Sequence, residues 1–105
     1  MGFFDFFMGP NINEGLEKFQ KTPGAVLLDV REPNEYVQGR IPQSKNLPLD
    51  KIDRIGTFVP DKNTPIFTYC LAGTRSSRAV AYLKSQGYTS VTNIGGINRY
   101  KGRIV

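Results

Sequence analysis

The sequence predicts an α/β domain of three layers, with a mainly parallel sheet flanked by helices. Three observations carry this. Segments of strand character alternate along the chain with segments whose apolar residues recur at helical spacing. The run Ala25–Val30 is short and continuously apolar up to Asp29, as a strand buried on both faces of a parallel sheet should be. At 105 residues the chain matches one domain, large enough to bury a core without disulfides.

The elements follow in order. Residues 1–10 hold four of the seven phenylalanines and read as a separate segment, either folded back on the domain or exposed as a contact patch. The domain proper is expected over 11–105. Ile12, Leu16 and Phe19 share one helix face, with Asn11 or Asn13 as cap, Gly15 as a weak point and Thr22-Pro23-Gly24 as the stop. After the strand at 25–30, Pro33 suits the first turn of a short helix that Gly39 closes. Asp50 is expected to cap a helix presenting Ile52, Ile55 and Phe58. Pro60–Pro65 is a turn leading to a strand over Ile66–Tyr69. Ser76, Ala79, Val80 and Leu83 mark an amphipathic helix ending at Gly87. Ser90–Ile94 is the last strand, and Gly95-Gly96 reads as a turn.

Chemistry concentrates between the strand at 66–69 and the helix after it, in Cys70-Leu71-Ala72-Gly73-Thr74-Arg75-Ser76. A tight loop between strand and helix aims backbone N–H groups, and the positive end of the helix dipole, at an anion. A cysteine at its mouth loses its proton more readily than a free thiol. Gly73 lets the loop turn, and Arg75 adds fixed positive charge. These residues point to a thiolate nucleophile serving an anionic substrate. Asp29 and Arg31, at the carboxyl end of the first strand, stand where open α/β sheets place their sites. They are either a supporting ion pair or a direct substrate contact.

Composition removes other chemistries. The sequence has no histidine and one cysteine, so Cys-His and Ser-His-Asp arrangements, histidine metal sites and multi-thiolate zinc are out. No metal and no cofactor is expected. The net charge of +5 is scattered in ones and twos, which argues against nucleic acid and for a small anion or an acidic partner. No apolar run is long enough to span a membrane, and the N-terminus lacks a basic region followed by an apolar stretch. With a single unpaired thiol, a cytoplasmic setting is expected.

The loop Cys70–Ser76 resembles the active-site loop of the rhodanese family of sulfurtransferases. Leu28-Asp29-Val30-Arg31-Glu32 with Gly39-Arg40-Ile41-Pro42 resembles a second rhodanese signature, and Gly95-Gly96 with Tyr100 its closing element. Arg40 stands where the family usually has histidine, Gln43 where it commonly has glycine, and Tyr100 where tryptophan is usual. The resemblance covers most of the chain. It implies sulfur transfer through a Cys70 persulfide, with Leu71, Ala72, Gly73, Thr74 and Arg75 binding a thiosulfate-like donor and a thiol or protein as acceptor. Within that family, the loop of six residues from Cys70 to Arg75 goes with sulfur donors, and one residue more with phosphate or arsenate. A non-catalytic binding module and a phosphatase or arsenate reductase are the competing readings.

Overall fold

A computed structural model describes residues 9–105. Most of the phenylalanine-rich segment therefore lies outside the described residues. The chain begins with α1 (Ile12–Gln20), whose N-terminal cap is Asn11, its side chain accepting the Asn13 N–H. Strand β1 (Val26–Asp29) leads to α2 (Pro33–Gln38) and β2 (Lys45–Asn46). A 3₁₀ segment (Leu49–Arg54) and α3 (Ile55–Phe58) precede β3 (Ile66–Cys70). Helix α4 (Thr74–Ser85), β4 (Val91–Gly96) and a short 3₁₀ turn (Ile97–Arg99) complete the fold.

The four strands lie in the order β2-β1-β3-β4, and each pairing is parallel. The order reverses between β1 and β3, so the segments leaving these two strands diverge above adjacent carboxyl ends. That crevice is where doubly wound sheets take their ligands.

Alternation along the strands sends side chains to two cores. On one face Leu28, Val30, Ile66 and Cys70 pack with Ile52, Ile55, Ala79, Leu83 and Tyr88. On the other, Leu27, Phe67, Tyr69 and Ile94 pack with Ile12, Leu16 and Ile41. Phe19 meets Phe67 edge-on at 5.9 Å between ring centres. Buried hydroxyls are satisfied: Tyr69 donates to Ser44 Oγ and accepts the Ile41 N–H, and Tyr88 donates to the Val59 carbonyl.

The three-layer parallel architecture agrees with the expectation, and four local details differ. Asp50 does not cap: the segment enters from Pro48 without a side-chain cap bond, as a 3₁₀ helix kinked at Lys51. Phe58 is 39% exposed and stands off the face that buries Ile52 and Ile55, because the kink breaks the helical phase. The pairing Leu28↔Lys45 and Asn46↔Asp29 forms a strand too short to show periodicity. Gly95-Gly96 is no turn. It ends β4, beyond a bulge where Thr68 pairs with Asn93 but Tyr69 pairs with Gly95. Among the described residues, no helix is long and apolar enough to cross a membrane.

Candidate active site

Cys70 is the last residue of β3 and is 1% exposed. Its Sγ accepts the Gly73 N–H at 3.0 Å and the Ser76 N–H at 3.3 Å. Such geometry requires the chain to reverse within three residues. Gly73 makes this possible with φ of 101°, a left-handed conformation that costs other residues energy. The same residue is the N-terminal cap of α4, so the sulfur faces the unsatisfied donors of a twelve-residue helix.

The Ser76 hydroxyl lies 3.5 Å from Sγ, 2.6 Å from Asn93 Oδ1 and 3.1 Å from the Gly73 carbonyl. One hydroxyl proton serves three acceptors. While the thiol is protonated it donates to Ser76 Oγ, and the Ser76 proton points to Asn93. Once Sγ is anionic, the Ser76 proton can turn to it. Asn93 also accepts the Gly95 N–H and donates to the Gly73 carbonyl, which ties the β4 bulge to the loop. Burial pushes the Cys70 thiol up; the Ser76 hydroxyl and the Ser76, Gly73 and Ala72 N–H groups outweigh it, so the thiol ionises below its ordinary range.

The loop's outer edge is held by its neighbours. Leu71, 47% exposed, has its carbonyl engaged by the Asn98 N–H. Gly96 lies so close beneath the loop that a Cβ there would strike the Leu71 carbonyl and come within 2.6 Å of Ala72 Cα. Thr74 is exposed at the start of α4 and, with Ser77, Arg78 and Gly96, helps line a groove of about 420 Å³.

Arg75 is engaged rather than free. Its two terminal nitrogens bond both carboxylate oxygens of Glu35 at 2.6 and 3.1 Å. This bond holds the Glu35 carboxyl down at about 2, against its own partial burial, and raises Arg75 in turn. Asp29 and Arg31 form a second, deeper pair, with side chains 0% and 6% exposed. Arg31 donates through its backbone N–H, Nε and Nη2 to Asp29 and through Nη2 to the Gly39 carbonyl. Asn46 caps the carbonyls of both residues.

Ala72, Gly73 and Ser76 thus converge on the Cys70 sulfur, Arg75 turns to Glu35, and Asp29 and Arg31 close on each other. The sequence reading passed over Ser76, Asn93 and Glu35 as site residues. Ser76 was visible as a member of the loop motif and of the helix face that follows; Glu35 and Asn93 stand 40 and 17 residues from their partners, and no local pattern marks them.

A buried cysteine ringed by amides at the switch point of a parallel sheet defines an α/β domain built around a cysteine loop. The chain belongs to the rhodanese-like family, whose domain model matches residues 13–103. It is 44% identical over 71 residues to thiosulfate sulfurtransferase PspE of Escherichia coli K12, covering 67% of this chain and 68% of that protein. It is 38% identical to a sulfurtransferase of Allochromatium vinosum, covering 76% and 74%. A solved E. coli rhodanese with anions superposes with a TM-score of 0.72 at 39% identity, covering 77% of this chain and 96% of that one.

Proposed function

We propose that this rhodanese-like sulfurtransferase moves a sulfane sulfur from a thiosulfate-like donor to a thiophilic acceptor through a persulfide on Cys70. The observation that supports this reading is the Cys70 sulfur with two backbone N–H donors at 3.0 and 3.3 Å, in a loop that lowers its pKa. The thiolate attacks the outer sulfur of the donor. A sulfur–sulfur bond forms to Cys70, the donor's own bond breaks, and sulfite leaves with its electron pair. An acceptor thiol or protein thiolate then attacks the outer sulfur of the persulfide and returns Cys70 as thiolate.

The cradle suits this chemistry because negative charge stays on sulfur throughout. Amides already oriented around Sγ need no reorganisation as that charge shifts to the outer sulfur. Leu71, Ala72 and Thr74 present a rim of modest side chains around the opening, and Arg75 keeps N–H groups beyond the two given to Glu35. The relatives named sulfurtransferases, one of them a thiosulfate sulfurtransferase, support the donor class.

Intact mass after incubation with thiosulfate tests the reading. Wild type should gain about 32 Da, one sulfur, as the covalent step requires, and Cys70→Ala should gain nothing. An adduct of the same mass on the alanine variant would remove Cys70 as the nucleophile. A folded wild type with a reduced thiol and no adduct would point to a binding module instead.

A further inference from the structure

Two of the arginines near the loop are paired with carboxylates, and Arg78 and Arg99 line the groove beside it. Asp29 neutralises Arg31, and Glu35 neutralises Arg75 through a bidentate bond at 2.6 and 3.1 Å. Glu32 adds a further attraction on Arg75, and Cys70 itself interacts electrostatically with that guanidinium. Glu35 is held in place from its own side as well: Oε1 accepts the Glu32 N–H at 2.9 Å, closing the capping box of α2. The carboxylate is therefore built into the helix end, ionised across the neutral range, and aimed at the one arginine of the nucleophile loop.

We propose that Glu35 is a positioning residue that acts through Arg75: it fixes the guanidinium beside the nucleophile loop and offsets its charge, so that the loop amides hold the donor and singly charged sulfur donors are served alongside doubly charged thiosulfate. This rests on the sulfurtransferase reading above. Backbone amides carry no net charge, so they do not favour a dianion over a monoanion as strongly as an unpaired cation does. An unpaired arginine beside the loop would draw a dianion with about twice the energy it gives a monoanion. With Glu35 in place, the share of that preference due to Arg75 is muted. The expected donors are then organic thiosulfonates and persulfide-bearing thiols as well as thiosulfate.

The test compares wild type, Glu35→Gln and Glu35→Asp. Glutamine keeps the shape and an acceptor for the Glu32 N–H but removes the charge; aspartate keeps the charge on a shorter arm. The ratio of kcat/KM for thiosulfate to that for benzenethiosulfonate should rise about fivefold in Glu35→Gln at low salt, shrink towards wild type as salt is added, and stay near wild type in Glu35→Asp. Separately, the pH midpoint of Cys70 alkylation by iodoacetamide should move down in Glu35→Gln and hold in Glu35→Asp. An unmoved midpoint, or a ratio that is unchanged or falls, overturns the proposal. The alkylation arm requires no sulfur transfer, so wild type that turns over neither donor refutes the sulfurtransferase reading while the midpoint still judges Glu35.

Discussion

The Ser76 hydroxyl gives the sharpest test of how the loop activates its cysteine. In Ser76→Ala, Sγ keeps the Gly73 and Ser76 amides at 3.0 and 3.3 Å and loses only the hydroxyl at 3.5 Å. A hydrogen bond to a charged group contributes about 1.5–3 kcal/mol, and turning to the thiolate makes Ser76 give up a neutral bond to Asn93 of about 1 kcal/mol. The difference, about 0.5–2 kcal/mol, corresponds to a rise in the Cys70 pKa of about one unit. The wild-type thiol lies below its ordinary range, so the sign is upward, towards the free thiol. Well below both midpoints the thiolate fraction then falls about tenfold, but the more basic thiolate is intrinsically about threefold more reactive. Alkylation by iodoacetamide across pH should therefore be about threefold slower than wild type in acid, cross it, and run about threefold faster in alkali. A rate reduced uniformly at every pH would refute the reasoning, because it would mean that Ser76 governs access or loop shape. An unmoved midpoint would mean that its proton stays with Asn93.

Three further outcomes are expected. Asp29→Ala leaves the buried Arg31 without its partner and should cost about 3–5 kcal/mol in urea unfolding, a large share of the roughly 5–15 kcal/mol that holds such a domain; a loss below about 1 kcal/mol together with abolished turnover would instead place Asp29 on the substrate. Gly96→Ala must push on the Leu71 carbonyl and Ala72, so turnover should fall at least tenfold, about 1.4 kcal/mol, with a smaller proportional change in melting temperature; unaltered kinetics would show that the loop yields freely. Gln43 has a φ of 73°, the one positive value on a non-glycine residue among those described. Its replacement by glycine should raise stability by about 0.5 kcal/mol, the left-handed penalty less glycine's extra chain entropy, and calorimetry would register the gain as a few degrees.

Much of this protein could be read from its residues alone. The strand before Cys70, the glycine that turns the loop and the helix that follows are contiguous, so local propensity and spacing specify them together, down to the amides that meet the sulfur. Composition did the excluding: without histidine, backbone dipoles and cations were expected to activate the thiol, and the structure adds the Ser76 hydroxyl to the amides. Gln43 was conspicuous as a departure from the family pattern, and its positive φ supplies the physical reason glycine is common there. The Asp50 cap failed because a carboxylate near a helix start is only permissive, and the segment enters from Pro48 as a 3₁₀ helix kinked at Lys51.

What the tertiary structure decided is what crosses between strands. The reversal of strand order between β1 and β3 brings α2 beside the nucleophile loop, and only then does Glu35 meet Arg75 across 40 residues. The bulge in β4 re-aims Asn93 onto Ser76 and seats Gly96 under the loop, which turns an apparent Gly-Gly turn into a strand end. Asp29 and Arg31, open in the sequence to either role, close on each other once the sheet buries them. Local sequence sets φ, ψ and spacing over a few residues; which charges end up paired depends on strand order and burial, and no local pattern encodes either.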